Sequence, residues 1–302
     1  MQVNYEGRDI TKSAEIKECT FTEGSGGRSD WMKMVLENAD EWWKWGPGKD
    51  DKVRVMKGGY DTGVLYVQAI LPEQGRYTIL AASAPSAAKG QKWASYEDRT
   101  LGAIMGICAA ECGMTHRLYG IESGISYPYL IRRNETPTAF IERLLRMEGG
   151  TLKCVGGRMT GIGIRYAQEL RAADTIALDE YTEGARYIRR DDLRIGQITV
   201  RTPLATAMAR DRAGGREIVL NDLPAKTSAQ AGRWARGLLT SHNRQCEEIR
   251  LAMDFSPGFT AMARIDVRSR TAADGKWLID EVEHDFAGKR TRARLLRCIE
   301  TA

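Results

Sequence analysis

The stretch GKWLIDEVEHDF, residues 275–286, poses the question on which the interpretation of the whole sequence depends. Four acidic residues and His284, one of only three histidines in the chain, fall within six positions. Such a group is either a metal or acid–base site or part of a strand, in which alternate side chains face opposite sides. One face would carry Asp280, Val282, His284 and Phe286, and the other Glu281, Glu283 and Asp285. Because the carboxylates and the imidazole do not converge, we predict a strand whose histidine is hydrogen-bonded and partly buried.

The composition is that of a globular protein. The 302 residues suffice for two or three domains, and the fractions of apolar (42%) and charged (28%) residues exclude a disordered or fibrous chain. The net charge of +5 arises from 45 basic and 40 acidic residues, so charge does not indicate nucleic-acid binding. The longest apolar run, at 101–110, is too short to span a membrane, and no signal peptide is recognisable. The six cysteines form no CxxC pair, which favours reduced thiols in a cytosol over a zinc ribbon.

Strand signals dominate the first 84 residues. Short runs rich in β-branched and aromatic residues alternate with turn signals such as EGRD and EGSGG. These runs lie at 3–5, 16–21, 31–36, 53–55, 63–70 and 76–82. We predict a first antiparallel β-barrel domain over residues 1–84.

Residues 85–168 mix helix and strand signals after a small-residue linker at 82–90. Apolar residues recur at helical spacing over 100–112, where Gly113 can end the helix, and a second helix begins with the cap Thr136 and Pro137. The run at 124–132 indicates a strand, and 151–166 indicates a hairpin about Gly156-Gly157. We predict a small α/β insert domain here.

Strand signals return over residues 169–302 and form a second predicted β-barrel domain. The strands are expected at 175–181, 185–190, 196–202, 246–255, 261–268, 276–286 and 291–299. A helix inserted at about 225–245 carries a buried stripe of Ala231, Trp234, Ala235, Leu238, Leu239 and His242. The fold class is therefore mainly β with an α+β insert: two antiparallel β-barrels flank a small α/β domain.

The remaining candidate sites have structural explanations. Cys108, Cys112 and His116 lie at i, i+4 and i+8, but Gly113 interrupts the helix and both cysteines continue its apolar stripe, so we predict core packing. The glycines at 156–163 do not join a strand to a helix and are no dinucleotide motif. The basic run at 288–294 indicates a solvated edge strand. We assign no catalytic, cofactor-binding or metal-ligating residue.

The segment EWWKWGPGKD, residues 41–50, is unusual because it holds three tryptophans in four positions. Trp42, Trp43 and Trp45 could stack on carbohydrate, form a protein interface, or plug one end of a barrel. Interface and internal packing remain open alternatives, and the three residues are the candidate interface.

Three collinear runs together resemble the phage late control protein D family, the baseplate hub proteins of contractile tails. The N-terminal run is YEGRDIT…TEGSGGRSDWMKMVLENADEWWKWGPGKDDKVRV…YDTGVLYVQAI, and the middle run is ISYPYLIRRNETPTAFIERLLRMEGGTLKCV. The C-terminal pair is RGLLTSHNRQ and KWLIDEVEHDF. The family's helix pattern matches Phe140-Ile141 and Leu144-Leu145, and its strand pattern matches Ile279, Val282 and His284. The sequence departs from the family at Pro257-Gly258, which lies several residues earlier than expected.

The resemblance implies a non-enzymatic, homotrimeric hub that adapts a six-fold tail tube to a three-fold spike. Its implied partners are the tail spike protein, the tail tube or tube-initiator protein, a LysM-type tail protein and other baseplate proteins, with no membrane partner. It would be located in the baseplate of a virion or tail-like particle, after assembly in the bacterial host cytoplasm, and any DNA would pass through its channel. The alternative is a cell-wall-binding or cell-wall-hydrolysing protein that uses the three tryptophans as a platform and His284 with neighbouring acids as hydrolytic groups.

Overall fold

A computed structural model describes residues 1–37, 46–73, 75–178 and 184–299. The strands before residue 101 are β1 Gln2–Tyr5, β2 Arg8–Asp9, β3 Glu15–Gly24, β4 Trp31–Glu37, β5 Lys52–Lys57, β6 Tyr60–Asp61, β7 Leu65–Glu73, β8 Arg76–Ala82 and β9 Lys92–Thr100. Those of the middle are β10 Thr115–Tyr119, β11 Ser126–Glu135, β12 Gly150–Val155 and β13 Arg158–Gly163. The later ones are β14 Asp174–Ala177, β15 Ala185–Arg189, β16 Ile195–Arg201, β17 Thr206–Arg210, β18 Arg216–Leu220, β19 Glu247–Asp254, β20 Arg264–Arg268, β21 Gly275–Asp285 and β22 Arg290–Arg297.

Four α-helices accompany these strands in the described part of the chain. They are α1 Leu101–Glu111, α2 Pro137–Met147, α3 Ile164–Glu169 and α4 Ser228–Asn243. The side chains of Thr100, Thr136 and Thr227 accept the first free backbone N–H groups of α1, α2 and α4, as expected for N-caps. No helix within the described ranges combines the length and hydropathy needed to cross a bilayer.

The N-terminal strands form a rolled antiparallel sheet in the order β3-β4-β8-β7-β5-β1-β2. Alternate residues are buried along β1, β5 and β8. Val3 near one end of the sheet belongs to the same apolar cluster as Phe21 at the other end. A sheet whose two ends contribute to one core must curl around that core. We call this unit the first rolled sheet.

The C-terminal strands form a second rolled sheet in the order β15-β19-β22-β21-β20-β14. All neighbours are antiparallel except β14 and β20, which are parallel. Ile249, Trp277 and Leu295 lie at the centre of its apolar cluster and are fully buried. The mainly β fold class with an α+β insert is thereby confirmed.

Strand β21 belongs to both rolled sheets. Its first part pairs with β20, where Leu278 lies opposite Arg264, and its second part pairs with β3, where Glu283 lies opposite Thr22. An irregularity between Ile279 and Glu281 marks the change. The two rolled sheets are therefore one continuous 14-stranded sheet, and the stretch 275–286 is their junction.

A third core lies outside this sheet and takes residues from two separated parts of the chain. It contains apolar residues of α1, α2 and the sheet β10-β13-β12, together with those of α4 and the sheet β17-β16-β18. Helix α4, expected as an insertion in the second barrel, packs here against α2. The boundaries at 84/85 and 168/169 stay a prediction.

One residue of the α4 stripe was placed wrongly. His242 is exposed, and the next residue, Asn243, faces inward. The Asn243 side chain accepts the backbone N–H of Ile195 at 3.0 Å and donates to the Ile195 carbonyl at 2.8 Å. A polar residue completes the buried face of α4, which apolar periodicity alone does not predict.

Candidate functional site

His284 is completely buried where the two rolled sheets meet. Its Nε2 lies 2.9 Å from the carbonyl oxygen of Phe259, and its Nδ1 lies 3.0 Å from Oγ1 of Thr291. A carbonyl oxygen only accepts, so Nε2 carries the proton and Nδ1 accepts from the threonine hydroxyl. Burial lowers the pKa of His284 and keeps the imidazole neutral. The prediction of a hydrogen-bonded strand histidine is confirmed.

Aromatic rings enclose the imidazole. The ring of Tyr60, from the first rolled sheet, lies 4.3 Å from it between centroids, and that of Phe255 lies at 5.3 Å. Glu283, one of the two acids adjacent to His284 in sequence, lies on the opposite face of β21 and pairs with Arg292. With both ring nitrogens engaged and no exposed surface, His284 cannot serve as the hydrolytic group of the cell-wall alternative.

A buried ion network joins the first rolled sheet to β12. The Nζ of Lys153 contacts Oε1 of Glu23 at 2.5 Å and Oδ2 of Asp30 at 3.1 Å, and Tyr60 donates its hydroxyl to the other Glu23 oxygen at 2.6 Å. Burial raises the pKa of Asp30 to about 6. Burial alone would lower the pKa of Lys153, but the attraction of both carboxylates outweighs it and the pKa is raised. The cation is held between two acids.

The turn between β3 and β4 connects all three cores. Ser25 donates its N–H to the carbonyl of Asp280 at 2.8 Å and its hydroxyl to Oδ1 of Asp280 at 2.7 Å. Gly27 donates its N–H to the carbonyl of Leu152 at 3.1 Å. Glu142 of α2 accepts the Leu152 N–H at 2.5 Å, and burial raises the pKa of Glu142 to about 7. We call residues 24–30 the junction turn.

Besides Ser25 of the junction turn, two arginines contact the carboxylate of the buried Asp280. Arg244 lies 3.5 Å from its Oδ1, and Arg294 contacts its Oδ2. Burial alone would raise the pKa of Asp280, but the two guanidinium groups lower it below the ordinary value. The first acid of the opening stretch thus has a structural role in the second rolled sheet.

The cysteine and histidine candidates do not converge. Cys108 and Cys112 are buried in the third core, whereas His116 is exposed on β10 beyond the turn at Gly113. No group of three or more His, Cys, Asp or Glu side chains in the described ranges is arranged to hold a metal ion. Core packing of the two cysteines is confirmed.

The basic run at 288–294 was predicted to lie on an edge strand, and this prediction is wrong. Strand β22 pairs with β19 on one side and β21 on the other, so it is a central strand. Its exposed Arg292 bridges to Glu283 at 2.6 Å on the neighbouring strand. The predicted solvation of its charges holds for Arg290 and Arg292, which are exposed. The predicted edge position is wrong because two strands from earlier in the sequence flank the run, which its own residues do not indicate.

The glycines at 156 and 157 form the predicted hairpin turn between β12 and β13, with φ angles of 56° and 72°. Trp42, Trp43 and Trp45 lie outside the described residues, so the candidate interface stays a prediction.

A cavity of about 830 Å³ lies between the third core and the second rolled sheet. Its wall draws residues from the ends of α2 and β10, from β17 and α4, and from the segment after β22. No sequence pattern predicted it, because its lining residues are scattered from residue 120 to residue 299.

No family model matches this sequence, and neither does any curated protein. The fold, by contrast, matches solved structures over nearly the whole chain. The prophage MuSo2 43 kDa tail protein from Shewanella oneidensis aligns at a TM-score of 0.74 and 14% identity, covering 98% of this chain and 97% of that one. A tail protein from Neisseria meningitidis aligns at 0.76 and 12% identity, covering 98% and 95%.

A third similar structure comes from a secretion system. It is an Escherichia coli component of the type VI secretion system that is itself structurally similar to the T4 bacteriophage tail proteins gp27 and gp5. It aligns at a TM-score of 0.62 and 12% identity, covering all of this chain and 78% of that one. The chain therefore has the fold of phage tail proteins.

Proposed function

We propose that this chain is the structural baseplate hub of a contractile phage tail or tail-like particle. The observation that carries the proposal is the architecture: one chain holds two rolled sheets, each with its own core, fused through the shared strand β21. The similarity to tail proteins along their whole length supports a role in the tail, and the collinear resemblance to the late control protein D family supports the hub position.

Symmetry explains why such a chain suits a hub. Three copies related by a three-fold axis would place six rolled sheets around one channel. One side of that ring can meet a tube with six-fold symmetry, and the other side can meet a spike with three-fold symmetry. The product of the protein is then a fixed geometry, without any chemical reaction.

Such an adapter needs its two rolled sheets in a constant relative orientation. The shared strand and the bonds of the junction turn to Asp280 join the two rolled sheets directly. The ion network of Lys153 and the bond of the turn to Leu152 attach the first rolled sheet to β12. We infer that the buried, mutually paired charges of Lys153, Glu23 and Asp30 help to specify this arrangement, since a displacement would leave a buried charge unpaired.

The proposed partners follow from this position in the particle. The tail spike protein binds one side of the ring, and the tail tube or its initiator binds the other, with a LysM-type tail protein and other baseplate proteins alongside. Trp42, Trp43 and Trp45 are the candidate residues for one of these contacts. DNA, in particles that contain it, would cross the central channel.

Location in the particle tests the proposal. The chain is produced with a short epitope tag in a host that assembles the tail or tail-like particles, and the particles are labelled with gold-conjugated antibody. We expect label at one end of the tube, at the level of the baseplate. Label along the tube, or intact particles without any label or tagged protein, would contradict a hub.

The cell-wall alternative needs a separate assay, because its tryptophan platform lies outside the described residues. The purified protein is incubated with peptidoglycan sacculi, and both sedimentation and the release of soluble fragments are measured. We expect neither. Fragment release by the wild type would reject the non-enzymatic role, and its persistence in a His284→Gln variant would locate the hydrolytic group elsewhere.

A further inference from the structure

The cavity of about 830 Å³ has an excess of positive charge in its wall. Seven arginines and four acidic residues line it. Three of the four acids are already engaged by internal donors. Glu148 accepts from Arg233 and from the indole of Trp234, at 2.9 and 2.8 Å.

The other two engaged acids are held by further arginines of the wall. Asp211 pairs with Arg194 at 3.2 Å, and Glu247 accepts from Arg297 at 2.5 Å. Arg212 and Arg236, in contrast, have exposed side chains without a hydrogen bond or ion pair to any part of the chain that the structure describes. Two guanidinium groups are thus available for an anionic ligand.

One strand presents its edge to the same cavity. Strand β17 pairs only with β16 among the described strands, and its last three residues, Met208 to Arg210, contribute to the wall together with the turn residues 211–213 that follow. Alternate residues of a strand lie on opposite faces, so a consecutive run lines a cavity through the strand edge. Asp211 donates its N–H to Gly196 across the β16 ladder. By the alternation of antiparallel hydrogen bonds, the backbone groups of Met208 and Arg210 point away from β16.

We propose that this cavity binds an extended acidic peptide segment of another protein. The peptide backbone pairs with the free edge of β17, its carboxylates meet Arg212 and Arg236, and its apolar side chains rest on Ile121 and Leu239, which also line the wall. The volume lies within the range of about 300–1,000 Å³ typical of ligand pockets. The peptide site goes beyond the hub proposal. Only the expectation that the partner is a tail protein rests on that proposal.

Fluorescence anisotropy of the full chain tests the site. The probe is a fluorescein-labelled octapeptide of alternating glutamate and valine. We expect saturable binding that weakens with added salt. The Arg212→Gln/Arg236→Gln double variant should bind at least about tenfold more weakly, since it removes both unpaired guanidinium groups from the wall. Arg133→Gln, which removes an exposed arginine of β11 outside the cavity, should bind like the wild type.

Three further ligands separate the alternatives. A lysine–valine peptide should not bind, and an N-methylated glutamate–valine peptide, which cannot pair with a strand edge, should bind at least about tenfold more weakly. A single-stranded oligonucleotide should compete poorly. Absence of binding by the wild type, equal binding by the double variant, or tighter binding of the oligonucleotide would each reject the proposal. None of these outcomes bears on whether the chain forms a ring.

Discussion

Lys153 is the residue on which the attachment of the first rolled sheet to β12 depends most. Its side chain is 8% exposed, and those of its partners Glu23 and Asp30 are 6% and 1% exposed. Taking three charges out of water costs several kcal/mol per ion, and the cost is offset only while all three are paired. Loss of the cation would leave two carboxylates facing each other in a buried site.

The Lys153→Met substitution should therefore lower the free energy of unfolding by about 3–5 kcal/mol. Urea denaturation followed by circular dichroism measures it. The matched control is Lys33→Met, which removes a lysine of the first rolled sheet whose contact with Glu18 is exposed, and which should lower the free energy of unfolding by less than about 1 kcal/mol. Equal effects of the two substitutions would show that the buried network contributes no more than a surface pair.

Glu142 gives the protein a pH dependence of known sign. Burial raises the pKa of its carboxyl from an ordinary 4.5 to about 7 in the fold. The folded protein thus holds this proton more tightly than the unfolded chain, so the contribution is complete below pH 4.5 and is lost as the pH rises through about 7. The loss amounts to about 3 kcal/mol at most.

A Glu142→Gln variant isolates this contribution, because its amide can still accept the Leu152 N–H but does not titrate. Urea denaturation at several pH values should show the wild type losing stability relative to the variant between pH 4.5 and 7. A constant difference across that window would contradict the raised pKa.

At the scale of elements, the junction turn between β3 and β4 fixes how the helical layer sits on the sheet. Gly27 has a φ angle of +72°, and a Cβ atom there would lie 2.7 Å from Cβ of Glu142 on α2. The glycine serves two needs at once: a left-handed backbone and the close approach of a helix.

Two glycine-to-alanine substitutions separate the effect of the left-handed backbone from the effect of the close approach of α2. Gly7 has a φ angle of +78° and no atom near the position of a new Cβ. Gly7→Ala should therefore lower the free energy of unfolding only by the strain of a left-handed alanine, about 1–2 kcal/mol. Gly27→Ala should lower the free energy of unfolding by a further ~1–3 kcal/mol, because the new Cβ would displace α2. The free energies of unfolding of both variants, from the same urea series, decide the point. Identical costs would mean that α2 does not rest on the turn.

The sequence predicted strands and helices well where one face is buried. Strands β3, β4, β8, β19 and β21 alternate clearly, and α2 begins at its predicted cap, Thr136. Strand β9 was missed because its residues, KWASYEDRT, are mostly exposed and show no apolar alternation. Strands β17 and β18 were missed for the same reason, since their stability comes from α4 and from β16.

The junction could be predicted only in part. The alternation of residues 275–286 predicted a hydrogen-bonded, partly buried His284. Nothing local predicts that Lys153 meets Glu23 and Asp30, because Lys153 is far from both acids in the sequence. Partners of buried charges are set by the tertiary fold. The same holds for the cavity arginines, whose grouping requires α4 to pack beside β17.

At the scale of the whole molecule, the proposed role depends on surfaces that join one copy to the next and to its partners. The tryptophans 42, 43 and 45 are the candidates for such a surface. A variant with all three replaced by alanine should keep the circular dichroism and thermal transition of the wild type but fail to enter assembled particles. Trp93→Ala, which removes an exposed tryptophan of β9, is the matched control and should assemble normally.

The shared strand β21 makes the two rolled sheets a single structural unit, and the ring proposal requires three such units around an axis. Electron cryomicroscopy of the purified chain, with mass photometry on the same sample, measures this directly. We expect particles of three times 33.7 kDa, seen end-on as a ring of six similar lobes about a central pore. Two-fold symmetric particles, or a monomer that stays monomeric at high concentration and in the presence of tail tube and spike proteins, would contradict the account.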